Sequence, residues 1–143
     1  MKHIDVVAAV ITHAGEYLCM QRGFSPYAYV SEKYEFPGGK IEEKESREQA
    51  LMRELREEMD LEVAVQPDLF LLTVHYVYPD FVLTMHVYRC PVQSRLFSRK
   101  EHIAHTWLPL ERLAELDWAP ADREVVAYLL SHDEGAIPCS QET

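Results

Sequence analysis

The stretch that decides the fold runs Gly38-Gly39-Lys40-Ile41-Glu42-Glu43-Lys44-Glu45-Ser46 and continues to Arg53-Glu54-Leu55-Arg56-Glu57-Glu58-Met59-Asp60-Leu61. From Ser46 to Met59 there is no Gly or Pro, and Ala, Leu, Met, Glu, Gln and Arg dominate. That composition predicts a helix with Ser46 at its N-cap. At about 100° per residue, Glu54, Glu57 and Glu58 share one helical face, beside an apolar stripe of Leu51, Leu55 and Met59. Like charges at this spacing destabilise a helix unless something offsets them. One candidate is a solvated face neutralised by Arg47, Arg53 and Arg56; the other is a set of hard oxygen ligands for Mg²⁺ or Mn²⁺. The Gly38-Gly39 pair favours the second, because glycine lets the backbone bring a carbonyl close to an ion.

Working outward, Ile4 to Thr12 is a continuous β-branched and Ala run, the pattern of a buried strand. His13-Ala14-Gly15 signals a turn, Tyr17 to Met20 a second strand, and Ser25-Pro26 a loop. Leu69 to Tyr78 and Phe81 to Cys90 flank Pro79-Asp80 as a hairpin, and Ile103 to Leu108 is a short strand. Glu111 to Leu116 and Ala121 to Leu130 read as helical. The irregular alternation predicts an α+β class, an α/β/α sandwich on a mixed sheet. A doubly wound parallel fold needs more helices. No repeat or linker divides residues 1–143, so one domain is expected, with a tail fraying from about residue 132.

The 143 residues carry 14 Lys and Arg against 24 Asp and Glu, a net charge of −10. Such a field repels phosphate backbones and anionic membranes, so a nucleic-acid polymer is not an expected partner. A small anion that arrives with a metal ion is not excluded. Glu35 to Asp60 holds nine acids and five bases, so much of the excess gathers around the helix. Cys19, Cys90 and Cys139 lack any metal or CxxC spacing and point to thiols in a reducing compartment. Asp5 interrupts any apolar leader and no membrane-length run occurs, so a cytoplasmic location is expected.

From Gly39 to Leu61 the chain resembles the Nudix box: Gly39, five residues, Glu45, seven residues, then Arg53-Glu54-Leu55-Arg56-Glu57-Glu58-Met59-Asp60-Leu61. One position departs. Asp60 stands where the family usually has Gly, and Asp is among the few residues that tolerate a left-handed helix stop. Lys33 to Gly39 is similar to the lead-in of the MutT-like branch, and Trp118-Ala119-Pro120-Ala121-Asp122 to the base-reading segment of CTP pyrophosphohydrolases.

The resemblance implies a Nudix fold with a loop–helix metal motif. It also implies Mg²⁺-dependent hydrolysis of a nucleoside triphosphate to monophosphate and pyrophosphate, on CTP-like or oxidised-guanine substrates, as in nucleotide sanitation. The implied metal set is the Gly38 carbonyl, Glu54, Glu57, Glu58 and Glu101. Glu54 is the expected general base, with Glu57 or Glu101 as alternatives. Arg53 is expected to orient a box carboxylate, while Gly39 and Glu45 support the loop. Arg22 is either a phosphate contact or a plain surface arginine, and Lys40 is a candidate for substrate binding. Phe36 is either a stacking face for the base or a core residue, and Asp122 either a base reader or a helix cap. Tyr78 and Phe81 flank the hairpin turn and could line the pocket but read better as core, and the seven histidines carry no ligand spacing. Another nucleoside diphosphate derivative, or a non-catalytic nucleotide sensor, remains an alternative. Monomer and homodimer are both open.

Overall fold

A computed structural model describes residues 1–133. Two strands open the chain, β1 (Lys2–His13) and β2 (Glu16–Gln21), joined by a turn with Ala14 and Gly15 at positive φ. Two short strands follow, β3 (Tyr34–Glu35) and β4 (Gly38–Lys40), then helix α1 (Arg47–Met59). The hairpin β5 (Phe70–Val77) and β6 (Phe81–Pro91), strand β7 (Ala104–Pro109) and helix α2 (Pro120–His132) complete the order. Each expected element is present, with one change of type. Leu110–Glu115 is a 3-10 turn rather than an α-helix. Helix α2 ends at His132, where the tail was expected to begin; residues 134–143, with Cys139, lie outside the described residues.

Among the described residues, seven strands form one mixed sheet. Its spine runs β3-β2-β1-β6-β5, with β4 added to β1 and β7 to β2. Strands β1 and β6 are parallel over eleven residue pairs, and the other pairings are antiparallel. The continuous apolar run of β1 is explained by burial on both faces. Val7, Ala9 and Ile11 point to a core shared with Ala50, Leu51, Leu55 and Met59 of α1. Ala8 and Val10 point to the opposite core, with Trp118, Val125, Val126 and Leu129 of α2. This is the α/β/α sandwich read from the sequence.

Helix α1 begins where expected. The Ser46 side chain accepts from Gln49 N, and the Gln49 side chain accepts from Ser46 N, a reciprocal capping box. It ends at Asp60 in the left-handed conformation (φ 52°, ψ 36°), with its N–H bonded to the Arg56 carbonyl. The strands β3 and β4 were not expected, because two and three residues are too short to show a period. Strand β4 matters: it lays Gly38-Gly39-Lys40 against Ala8, Val7 and Val6 of β1 and so fixes the loop that leads into α1.

Candidate active site

The two glycines are required by close approach. A Cβ on Gly38 would lie 1.9 Å from the Val7 carbonyl oxygen, and one on Gly39 would lie 2.3 Å from the Glu54 carboxyl carbon. Any side chain at residue 39 would therefore displace Glu54.

Arg53 organises the acidic end. Its Nε and Nη2 fork onto the two Glu45 oxygens at 2.6 and 3.0 Å, a bidentate pair. Nη1 donates to Glu54 at 3.0 Å and to Glu57 at 3.2 Å, while Nη2 also donates to the Lys40 carbonyl at 3.0 Å. Glu45 accepts in addition from Glu42 N. Chiefly through Arg53, the Glu45 carboxyl is held below its ordinary range. One guanidinium thus ties the loop to three helix or loop carboxylates.

Glu58 lies one helical step away and behaves differently. Burial first, and then the nearness of Glu54, Glu101 and Glu35, push its carboxyl up to about 9. Carboxylates are gathered here where water is scarce. A divalent cation bound by oxygen ligands would relieve that crowding, so the donor set of Glu54, Glu58 and Glu101 fits Mg²⁺ or Mn²⁺ chemically. Glu57 is set apart: it is 60% exposed and turned to Arg53. Among the described residues, no three acidic, His or Cys side chains stand ready-arranged as a metal cage.

A cavity of about 650 Å³ runs from this acidic end to the start of α2. Glu58, Glu101, Gly38, Gly39 and Lys40 line one part, and Phe36 and Asp122 another. Arg22 also lines it, 3.4 Å from Glu35. Asp122 is not a helix cap. The N-cap of α2 is Ala119, without a side-chain bond, and the Asp122 carboxyl accepts instead from Phe36 N at 3.0 Å. Burial, reinforced by Glu35, raises the Asp122 carboxyl well above its ordinary value, which favours its neutral form. Phe36 belongs to the core: it is buried and one ring face is covered by Trp118, with centroids 4.7 Å apart.

Several lining residues escaped the sequence reading. Tyr78 is buried in the core, as favoured, and with Phe81 it also borders the cavity from the β5–β6 turn, where the unexpected Tyr27 and Phe24 join them. His102, assigned no chemistry, also lines it, with Nε2 2.8 Å from Glu35. The signal for Tyr78 and Phe81 was their place at a hairpin turn; for His102 it was adjacency to Glu101.

A model of the NUDIX domain matches residues 1–129. A CTP pyrophosphohydrolase of Escherichia coli (strain K12) is 34% identical over 122 residues, 85% of this chain and 87% of that protein. An 8-oxo-dGTP diphosphatase of the same strain is 32% identical over 131 residues, covering 90% of this chain and 98% of the relative. Among solved structures, the solution structure of the E. coli ORF135 protein has a TM-score of 0.79 and 31% identity, covering 98% of this chain and 96% of its own. The MutT protein from Methanosarcina mazei Go1 shares the fold at a TM-score of 0.76 and 23% identity, with 91% and 94% covered. The chain belongs to the NUDIX domain family and is a Nudix hydrolase.

Proposed function

We propose that this Nudix hydrolase is a Mg²⁺-dependent pyrophosphohydrolase of nucleoside triphosphates, releasing monophosphate and pyrophosphate from CTP-like or oxidised-guanine nucleotides. One observation carries the reading: a single cavity joins the carboxylates Glu58 and Glu101 to the buried Asp122 carboxyl. The acidic end suits the phosphates with their cation, and the far end suits a base. Relatives named for CTP and for 8-oxo-dGTP support the same substrate class.

The residues then divide the work. Glu54, Glu57, Glu58, Glu101 and the Gly38 carbonyl would hold one or more divalent ions. A bound Mg²⁺ or Mn²⁺ supplies charge neutralisation and a water of lowered pKa. Arg53 keeps Glu54 and Glu57 oriented, Glu45 closes the loop, and Gly39 leaves room for Glu54. Glu54 is our choice of general base. Arg22 and Lys40 line the route for phosphate oxygens. Protonated Asp122 can donate to a ring nitrogen or carbonyl oxygen of the base; ionised, it can accept from an exocyclic amine.

Pyrophosphate release with Mg²⁺, measured across CTP, dCTP, 5-methyl-dCTP, 8-oxo-dGTP, ADP-ribose and nucleotide sugars, tests this. Turnover highest on a triphosphate supports the reading. Turnover highest on ADP-ribose or a nucleotide sugar refutes the substrate class, and tight nucleotide binding without turnover points to a sensor.

A further inference from the structure

Asp60 occupies a helix stop where glycine would adopt φ 52° without strain. What the aspartate adds is a carboxylate, and the structure gives that carboxylate a partner: Lys100 Nζ donates to its Oδ1 at 2.9 Å. The neighbouring residues repeat the attachment. Ser98 N donates to the carbonyl of Met59, the last residue of α1, at 2.9 Å. Phe97 packs on the α1-side core and meets His105 edge to face. On the other side of Glu101, His102 lies 2.8 Å from Glu35 and Ile103 N donates to the Gln21 carbonyl at 3.0 Å. Glu101 therefore sits between two clasps, one to the end of α1 and one to β3. The segment has no helix or strand of its own to fix it.

We propose that Asp60 is a positioning residue: through Lys100 it fixes the segment Ser98–His102 so that Glu101 faces Glu58 across the acidic end of the cavity. The inference rests on the proposed role of Glu101 as a divalent-cation ligand. Glycine at residue 60 would stop the helix equally well and leave Lys100 without this partner, so the stop and the clasp are separable functions of one residue. The pair is exposed, so its effect is modest: exposed ion pairs correspond to about twofold to fivefold in an equilibrium constant.

The test uses D60G, K100A and K100R in the full chain. Mn²⁺ affinity is read from the free-ion EPR signal, and amide hydrogen exchange over residues 98–102 is followed without metal. D60G and K100A are expected to weaken Mn²⁺ binding by about twofold to fivefold and to speed exchange in that segment, while K100R restores both. Because glycine relaxes the helix stop, D60G is expected to keep or raise the melting temperature, so a loss of affinity in it is not loss of fold. Unchanged Mn²⁺ affinity in D60G and K100A overturns the proposal, whatever the exchange shows. The expected shifts in a protein with no nucleotide turnover would leave the clasp standing and refute the proposed activity instead.

Discussion

The two ends of the cavity are built in opposite ways. At the acidic end most groups come from one continuous stretch: Gly38, Gly39, Lys40, Glu45, Arg53, Glu54, Glu57 and Glu58 lie within a loop and the helix that follows it. Their geometry is set by helical spacing and by one arginine. At the opposite end, Phe36, the hairpin-turn pair Tyr78 and Phe81, and Asp122 arrive from three separate segments. The bond from Phe36 N to Asp122 spans 86 residues, and that from Ala121 N to Tyr78 spans 43. Local construction makes the acidic end tolerant of changes elsewhere. Distant construction makes the base end depend on how the sheet, the hairpin and α2 dock.

The acidic end is most directly disabled at Glu58. Burial and its acidic neighbours keep it protonated, so Glu58→Gln is close to isosteric with the native form and should leave the fold intact at pH 7. Turnover with Mg²⁺ should nevertheless fall by about a hundredfold or more, as for loss of a group that stabilises transition-state charge. Glu57→Gln should fall comparably if its carboxylate swings from Arg53 to a cation. Near-native rates for both variants would remove the acidic end from the chemistry.

The sign of the pH effect follows from the same residue. With a native pKa of about 9 against an ordinary value of 4.5, native Glu58 holds a proton that the unfolded chain has released between those limits. Its contribution to stability is therefore complete below pH 4.5 and is lost as pH rises through about 9. Metal must displace that proton, so cation affinity should rise with pH across the neutral range. Denaturant titrations of wild type and Glu58→Gln at several pH values check this: the wild-type decline toward high pH should flatten in the variant.

Arg53→Lys sharpens the contrast. Lysine cannot fork onto Glu45 while reaching Glu54, Glu57 and the Lys40 carbonyl. Partly buried partners are left unpaired, at a cost of about 2 kcal/mol. Calorimetry should show melting lowered by several degrees, together with loss of activity. Equal melting temperatures would mean the network is ornamental.

These contrasts also explain what could be read in advance. Helix α1, its Ser46 cap and the faces of Glu54, Glu57 and Glu58 follow from spacing along one chain segment, which the sequence displays directly. The two-sided burial of β1 showed in its uninterrupted apolar run. Strand β4 did not show, because the reason for Gly38 is the Val7 carbonyl on another strand. The role of Asp122 stayed open between cap and base reader because its partner is the backbone of Phe36, which no local pattern encodes. His102 looked inert for the same reason: its partner Glu35 is 67 residues away.

At the base end, Asp122→Ala should alter preference more than rate. Removing the carboxyl leaves Phe36 N without its partner and takes away a buried group that donates when protonated and accepts when ionised. Discrimination between the best triphosphate and its competitors should shift by about tenfold or more, the scale set by loss of a hydrogen bond in a buried site. Competition assays with paired nucleotides measure it; equal loss on every nucleotide would place Asp122 in the fold alone.

The smallest expected effect tests how far the base end depends on distant docking. Helix α2 begins with Ala119 at its N-cap and Pro120 behind it, so neither residue supplies a side-chain cap. The N–H of Ala121 is instead satisfied by the Tyr78 hydroxyl, at 3.0 Å, from the hairpin turn. That hydroxyl acts as the missing cap, and burial raises it to about 12, so it remains a neutral acceptor at working pH. Tyr78→Phe keeps the ring, which stacks on Tyr29 at 4.9 Å, and deletes only the acceptor. The buried N–H then goes unpaired, at about 1 kcal/mol. Thermal unfolding should register that loss, and nucleotide preference should shift in the same direction as in Asp122→Ala but less, since Asp122 is the next residue of the loosened turn. A stability loss with unchanged preference would show that the strands and Phe36 N alone hold Asp122 in place.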